Sequence, residues 1–400
     1  IIINDNLNIF KPTVFQGNTD LTNENTNFSC NSSLFFFHNP KPDEENRKIL
    51  KLKDGTNISK LYFAGNVDIN VGANGTGTLT TEYLAMEIPS PDFTSTDDFY
   101  IPHNFTANIY GIVNSGNNTP TEKGINITRC SKTDNIIGTI NFNGKITNNN
   151  ITETHSGTTT NIPETFSFTT NKFIHSSDNS APKSELSING DFSSIDEIDL
   201  CHSLGTTLVT VGNNGKIETN KLFNSQNTEF KNEGADKWIS NNGIISTSES
   251  FTIPSGYFVE NTDTGTIQIL GGSYENANVD SDGTTPSLLG GTFEILGDAQ
   301  INGSNTFDKV NIVRANSIFN GSNTFNDLII HNTSTDETTV TTPITITFKE
   351  GETQTINNKL EIKGELKALV QLRSSVEGNI WNIKAPSDSQ SDEESVSIVY

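Results

Sequence analysis

Ile301-Asn-Gly-Ser-Asn-Thr-Phe307 returns almost unchanged as Phe319-Asn-Gly-Ser-Asn-Thr-Phe325, 18 residues later. Each copy leads through a two-residue step, Asp308-Lys309 or Asn326-Asp327, into a short apolar segment. A period of about 18 residues is too short for a domain, but it suits one coil of a solenoid. The repeat therefore predicts strand, two-residue corner and strand in each of two stacked β-coils.

Stacked coils place equivalent residues of the two copies on top of one another. Ladders of like residues let each coil bury a face that it could not bury alone. The alignment predicts three such contacts: Phe307 with Phe325, Ile312 with Ile330, and Asn305 with Asn323.

The composition fits a narrow core. The chain has 400 residues, of which 32% are hydrophobic, and these include 24 Phe together with alternating runs of Ile, Val and Leu. That content is low for a compact globule, yet a disordered chain would lack the β-branched and aromatic runs. Abundant Asn, Gly, Ser and Thr suit tight corners. We therefore expect an all-β solenoid.

Charge and hydropathy exclude two classes of partner. With 25 Lys and Arg against 48 Asp and Glu, the net charge is -23, and no basic cluster suited to nucleic acid occurs. No apolar run approaches the roughly 18 residues that span a bilayer. The first residues, Ile1-Ile-Ile-Asn-Asp5, have no initiator Met and no basic region, which leads us to expect a mature or excised chain.

The three cysteines lie far apart in sequence. Cys30, Cys130 and Cys201 form no CxxC pair and no metal-ligand spacing. Two interpretations remain open: buried thiols in the strand stack, or a disulfide between Cys30 and Cys130.

The pattern divides the chain near residue 200. Residues 201–400 are predicted to form regular coils, because strand-like segments recur between Asn and Gly corners, and the glycines that open the last four of them are about 22 to 28 residues apart. In the fourth segment, Ile267 and Ile269 share one face, while Thr266 and Gln268 share the other. The segments are Thr207–Val211, Gly215–Thr219, Gly243–Thr247, Gly265–Leu270 and Gly291–Leu296.

Residues 1–200 are less regular and are predicted to form a cap and a solenoid with longer loops. Leu34–Phe37 and Pro89–Phe93 do not fit the coil period. Strands are still expected at Lys60–Ala64, Val67–Val71, Ala107–Val113, Ile136–Phe142 and Glu164–Thr169.

The C-terminal half resembles a known group of proteins. Ile344-Thr-Ile-Thr-Phe348 leads through Gly351-Glu-Thr-Gln-Thr-Ile356 and Leu360-Glu-Ile-Lys-Gly364 into Leu372-Arg-Ser-Ser375 and a last strand, Val396–Tyr400. These residues resemble the β-strand repeats of autotransporter passengers and filamentous-haemagglutinin-like bacterial surface proteins, over roughly residues 200 to 400. The resemblance implies a right-handed parallel β-helix, export across the outer membrane, and adhesion or display. The strand at the chain end further predicts that coils continue beyond Tyr400.

One carboxylate pair is the best enzymatic candidate. Glu197 and Asp199 would lie on one strand face about 7 Å apart, and carbohydrate-active β-helices use acidic clusters. Outward acids are, however, common on the strands of an acidic protein. A lyase would also need a nearby Lys or Arg, which the segment Ser194–Leu200 lacks. We therefore predict no catalytic residue and no enzyme.

Other motifs predict neither a metal nor a cofactor. Asp280-Ser-Asp282-Gly283 lacks the remaining ligands of a calcium loop. Cys201 and His202 would point to opposite faces of a strand. Gly72-Ala-Asn-Gly-Thr-Gly77 opens no helix and is predicted to be a turn.

The sequence thus predicts a secreted or outer-membrane-surface β-solenoid that displays loops or adheres. Its expected partners are glycans or proteins of a host or neighbouring cell, or copies of itself. Two alternatives remain open: a polysaccharide-degrading β-helix enzyme and a self-assembling extracellular filament subunit.

Overall fold

The fold is all-β. The computed structural model describes residues 7–16, 18–22, 28–37, 47–64, 66–73, 76–86, 104–110, 112–115, 125–127, 137–143, 145–154, 158–162, 164, 167–175, 184–199, 207–222, 237–253, 258–276, 289–334, 339–386, 390–391 and 396–399. None of these residues belongs to an α-helix.

The strands up to residue 199 are β1 (Leu7–Ile9), β2 (Thr13–Gln16), β3 (Thr19–Leu21), β4 (Phe28–Phe37), β5 (Lys48–Leu52), β6 (Thr56–Ala64), β7 (Val67–Val71), β8 (Thr78–Met86), β9 (Asn104–Tyr110), β10 (Ile112–Ser115), β11 (Ile125–Ile127), β12 (Ile137–Asn143), β13 (Lys145–Thr154), β14 (Thr158–Ile162), β15 (Ser167–His175), β16 (Ser184–Ile188) and β17 (Asp191–Asp199).

The later strands are β18 (Thr207–Val211), β19 (Lys216–Leu222), β20 (Lys237–Asn241), β21 (Ile244–Ile253), β22 (Phe258–Asn261), β23 (Thr266–Ile269), β24 (Gly272–Asn276), β25 (Leu289–Ile295), β26 (Ala299–Asn302), β27 (Thr306–Val313), β28 (Ser317–Asn320), β29 (Thr324–His331), β30 (Ile344–Phe348), β31 (Thr353–Lys363), β32 (Val370–Ser374), β33 (Asn382–Lys384), β34 (Gln390–Ser391) and β35 (Val396–Val399).

The chain forms two compact units. Unit 1 consists of Ile1–Thr210, Asn214–Lys216 and Asn227–Asp236, and unit 2 consists of Val211–Asn213, Ile217–Gln226 and Lys237–Tyr400. In unit 1, β4, β6, β8, β10, β13, β15 and β17 pair successively in parallel, as do β3, β5, β7, β9, β12, β14 and β16. The chain therefore returns to the same sheet once per coil, which makes the architecture solenoid-like.

Unit 2 follows the same rule. One parallel series runs through β21, β23, β25, β27, β29 and β31, and a second runs from β21 through β24, β26, β28, β30, β32 and β35. The separation between paired residues varies from coil to coil: Ile244 pairs with Thr266, and Thr266 pairs with Thr292. These offsets of 22 and 26 residues fall within the spacing of about 22 to 28 residues that the glycines predict.

The ladders predicted from the 18-residue repeat are confirmed. The rings of Phe307 and Phe325 are stacked with centroids 5.7 Å apart and planes inclined by 16°. Asn305 Nδ2 donates to Asn323 Oδ1 at 3.2 Å, and Ile312 pairs with Ile330. Both phenylalanines are fully buried, so the aromatic ladder is part of the core of unit 2.

The predicted corner at Asp308-Lys309 takes a different form. The strand β27 continues through both residues, but the alternation of buried and half-buried positions is interrupted there, with two half-buried residues in succession. The predicted corner therefore lies inside a continuous strand. The parallel neighbour β29 shows the same interruption at Asn326-Asp327, and Lys309 pairs with Asp327.

Alternation within the strands is also confirmed. Ile267 and Ile269 are fully buried, whereas Thr266 and Gln268 on the other face of β23 are half-buried. The predicted segment Ala107–Val113 is divided into β9 and β10, which pair in different series.

The expectation that Leu34–Phe37 falls outside the coil period is wrong. In β4, Leu34 pairs with Leu61 and Phe36 with Phe63, and all four side chains are fully buried. Phe35 points to the opposite face, where it stacks on Tyr62 at 4.8 Å. The run of apolar residues hides the alternation of an ordinary strand in the sequence, because aromatic residues occupy both faces of β4. Pro89–Phe93 lies outside the described residues.

A column made mostly of small polar residues, with Ile58 as its apolar member, marks a corner of unit 1. Cys30, Ile58, Thr81, Ser115, Asn148, Thr170 and Ser194 are in register across seven strands. Where a hydroxyl is described, it donates to a backbone carbonyl just beyond it: Thr81 to Tyr83 at 2.9 Å and Thr170 to Lys172 at 3.1 Å. Ser194 donates to Glu197 O at 2.9 Å. These bonds satisfy buried hydroxyls where the strand bends.

Cys30 occupies the same position in that column as the hydroxyl residues. Its Sγ lies 3.3 Å from Ser32 O, the side chain is 2% exposed, and the thiol is free. Burial raises the pKa of the Cys30 thiol. Cys130 and Cys201 lie outside the described residues.

Candidate functional site

The Glu197 and Asp199 pair lies on the last residues of β17, flanking Ile198. Glu197 is 7% exposed and Asp199 is 3% exposed, so neither is the outward, solvated acid expected of an acidic surface strand. Ile198, between them, is fully buried. Both carboxylates are thus held in the packed part of unit 1.

A lysine from the neighbouring coil contacts Glu197. Lys172 on β15 is in register with Glu197, and its Nζ lies 2.9 Å from Glu197 Oε1. The segment Ser194–Leu200 contains no Lys or Arg, but the neighbouring coil supplies one. The pattern of a single strand does not reveal this contact, because parallel stacking brings together residues about one coil apart in sequence. Aligning Phe168 with Phe192, and Phe173 with Ile198, would have revealed the contact.

The outward side chains of unit 2 form aligned columns on the series β21, β23, β25, β27, β29 and β31, which we call the outer polar face. One column contains Ser246, Gln268, Glu294 and Asn311 in register. Gln268 and Glu294 are half-buried, whereas Ser246 is 2% exposed. Ser246 Oγ donates to Gln268 Oε1 at 2.7 Å, and Gln268 Nε2 donates to Glu294 Oε2 at 3.0 Å. Hydrogen bonds between coils therefore hold this column in place.

A second set of amides and carboxylates crosses the same face three coils wide. Asn326 Nδ2 donates to Asp308 Oδ1 at 2.7 Å, and Asn357 Nδ2 donates to Asn326 Oδ1 at 3.3 Å. Beside them, Asn358 Nδ2 donates to Asp327 Oδ1 at 2.6 Å. The result is an array of polar side chains that hydrogen bonds join from coil to coil.

One carboxylate on this face is contacted by two lysines and a histidine, a group that we call the Glu361 cluster: Glu361, Lys359, Lys363 and His331. Lys359 Nζ lies 2.5 Å from Glu361 Oε2, Lys363 Nζ contacts Oε1, and His331 Nε2 lies 3.2 Å from Oε1. The Glu361 side chain is 8% exposed, whereas those of Lys359 and Lys363 are 47% and 52% exposed.

The cluster stabilises the charged carboxylate. Hydrogen bonds from Lys359, then from Lys363 and His331, outweigh the effect of burial and lower the pKa of Glu361 to about 2. The same contact with Glu361 raises the pKa of Lys359. Glu361 and Lys359 therefore remain ion-paired at neutral pH.

Part of this cluster could be predicted from the alternation of residues in β31. In Lys359-Leu-Glu361-Ile-Lys363, the alternation places all three charged residues on one face of a strand. His331 joins them from β29, where it is in register with Lys363. The contacts of Glu361 with the two lysines follow from the two-residue alternation of a strand. The contact with His331 follows only from the pairing of β29 with β31.

The remaining sequence candidates add no site. The described ends of the segment Gly72–Gly77 lie between β7 and β8: Gly72 has φ +70° and its N–H donates to Leu52 O at 2.7 Å, and Gly77 N–H donates to Val71 O at 2.8 Å. Asp280–Gly283 and Cys201-His202 lie outside the described residues. Within the described part of the chain, no group of three or more His, Cys, Asp and Glu side chains is placed to hold a metal ion. No helix in that part is long and apolar enough to cross a bilayer.

Comparison of the chain with protein-family models and with curated proteins gave no match. The resemblance of residues 200–400 to bacterial surface proteins therefore rests on the pattern of the sequence itself.

Proposed function

We propose that this chain is a right-handed parallel β-helix that serves as a non-catalytic, adhesive or structural protein outside the cell. On this proposal it is secreted or held at a bacterial outer surface. Its partners are glycans or proteins of a host or neighbouring cell, or copies of itself.

The observation that carries the proposal is the outer polar face of unit 2. Hydrogen bonds between Ser246, Gln268 and Glu294, and between Asp308, Asn326 and Asn357, fix the spacing of side chains over several coils. A rigid array with a coil spacing of about 4.8 Å offers many weak polar contacts in a repeating geometry. Such an array favours polyvalent binding over the turnover of one substrate.

The sequence resemblance supplies the cellular context of the proposal. The Ile344–Gly364 and Leu372–Ser375 segments share their pattern with surface-protein repeats. They form β30 and β31 of one coil and β32 of the next, where β32 pairs with β30. A chain with net charge -23 is also well suited to staying soluble outside the cell.

A carbohydrate-active enzyme is the second candidate, and the Lys172–Glu197 contact favours it. A lysine beside two acids is a combination that could abstract and return protons. Against this function, Glu197 and Asp199 are only 7% and 3% exposed, which leaves little room for a saccharide to reach them.

One experiment separates the two functions. The full chain is incubated with cell-surface preparations and with acidic and neutral polysaccharides, while retention and the release of new reducing or unsaturated ends are both followed. The proposal predicts retention on at least one surface with no new ends, and Glu197→Gln and Asp199→Asn should leave retention unchanged. Turnover that either substitution abolishes would establish the enzyme instead. Retention that depends on protein concentration alone, with particles seen by sedimentation, would indicate self-assembly.

A further inference from the structure

The Glu361 cluster concentrates positive charge on an acidic protein. The whole chain carries about one basic residue for every two acidic ones, 25 against 48. Around Glu361, by contrast, Lys359, Lys363 and His331 converge on a single carboxylate. Asp327 is in register with Lys359 and interacts with it electrostatically, so the two ammonium groups balance two carboxylates here, and positive charge is locally richer than in the chain as a whole.

The two lysines retain capacity for a further ligand. Each ammonium has three N–H donors, and Glu361 accepts one bond from each of them. Glu361 is almost completely covered, whereas about half of each lysine side chain remains accessible to solvent. The buried carboxylate therefore holds both ammonium groups at one place, while the lysine side chains remain half exposed. Such positioning lowers the entropic cost of binding an anion.

The neighbouring side chains suit the uncharged part of a sugar. Asn326, Asn357 and Asn358 carry amide groups whose spacing is fixed by hydrogen bonds. Ile329, half-buried and in register with Glu361, offers an apolar patch for the C–H face of a ring. Fixed amides beside a cationic centre match hydroxyl groups beside an acidic group.

We propose that the Glu361 cluster and its adjoining asparagines bind the sulfate or carboxylate of an acidic glycan, with Lys359, Lys363 and His331 contacting the anion. This inference rests on the proposed adhesive function and names the ligand class of the outer polar face. A nucleic acid fits less well, because its closely spaced phosphates would approach a protein of net charge -23 with only this small basic centre to receive them.

Binding of short oligosaccharides to the full chain tests the proposal. The probes are a sulfated hexasaccharide, a hexuronate and a neutral hexasaccharide, measured by calorimetry at low and at physiological salt. We expect the acidic probes to bind, with affinity falling as salt rises, and the neutral probe to bind at least tenfold more weakly. The tighter of the two acidic probes identifies the anionic group. Equal binding of all three probes would overturn the proposal.

Variants separate a binding role from a structural one. Lys359→Gln combined with Lys363→Gln should weaken acidic-glycan binding about tenfold or more, since two charge-assisted contacts are lost. Lys349→Gln is the matched control: Lys349 is 52% exposed, as Lys363 is, but it faces Glu352 at 4.0 Å. It should leave binding unchanged. An equal loss of affinity in the control would show that binding depends only on the total charge of the protein, and this would contradict the proposed site.

The substitution Glu361→Gln tests how the lysines are positioned. Because the carboxylate holds both ammonium groups at one place, its loss should weaken binding of the acidic probes several-fold and leave binding of the neutral probe unchanged. Unaltered binding of the acidic probes would show that Glu361 positions no binding group, and the proposal fails. Should Glu361→Gln not fold, the single variants Lys359→Gln and Lys363→Gln decide, because both side chains are half exposed. Retention on cells without affinity for either acidic probe would refute this inference and leave the adhesive function standing.

Discussion

Glu361 is the residue whose environment departs most clearly from that of an isolated carboxylic acid. Its pKa is about 2 instead of the ordinary 4.5, because Lys359, Lys363 and His331 donate to the charged form. A group whose pKa is lowered by folding stabilises the folded state while it is ionised in both states. Its contribution is complete above about pH 4.5 and is lost as the pH falls toward 2.

The pH dependence of stability tests this assignment. Glu361→Gln should unfold at a lower urea concentration than the natural chain at pH 7, and the difference should shrink steadily between pH 4.5 and pH 2. Lys349→Gln serves as the control and should show no such narrowing. A difference of the same size at pH 7 and at pH 2 would mean that the ion pairs do not stabilise the folded chain.

At the scale of the structural element, corners explain the placement of small polar residues in unit 1. Thr81, Thr170 and Ser194 donate to carbonyls just beyond the bend, and Cys30 occupies the equivalent position with Sγ near Ser32 O. The cysteine therefore acts as a substitute for a hydroxyl residue. A raised thiol pKa and burial make it a poor nucleophile, which agrees with a structural role.

Two substitutions of similar size test the role of Cys30. Cys30→Ser keeps a donor in the column, and Ser194 demonstrates that serine fits there, so stability should remain within about 0.5 kcal/mol. Cys30→Ala removes the group and leaves the Ser32 carbonyl without that contact, which should cost about 1–2 kcal/mol. Urea unfolding of both variants measures the difference. An alanine variant as stable as the serine variant would show that the polar column contributes nothing.

The element scale also explains what could be predicted from sequence. Period two placed Ile267 and Ile269 inside, and the 18-residue repeat aligned Phe307 with Phe325, because both signals are local or exact. The Lys172–Glu197 and His331–Glu361 contacts were not predicted. The offset between paired residues varies, from 18 between β27 and β29 to 32 between β29 and β31, so no fixed offset aligns the coils. The Leu34–Phe37 run was misread because its alternation is hidden when both faces carry apolar residues.

In the whole molecule, parallel coils provide the surface on which the proposed adhesion or display depends. Strands pair in parallel in both compact units. In unit 2 this pairing aligns residues that are far apart in sequence into columns of side chains. Amide ladders and the Glu361 cluster have a fixed geometry only because the coils are in register. The proposed adhesion and the proposed anion site therefore depend on that register.

A distance across four coils tests the register most directly. Thr266, Thr292, Lys309, Asp327 and Lys359 form one outward column although the two ends are 93 residues apart in sequence. Spin labels at Thr266→Cys and Lys359→Cys, in a full chain whose three native cysteines are replaced by serine, can be measured by double electron–electron resonance. Four steps of about 4.8 Å predict one narrow distribution near 19 Å, widened by a few ångströms for the label arms. A broad distribution, or one centred beyond about 35 Å, would contradict the stacked coils and every function built on them.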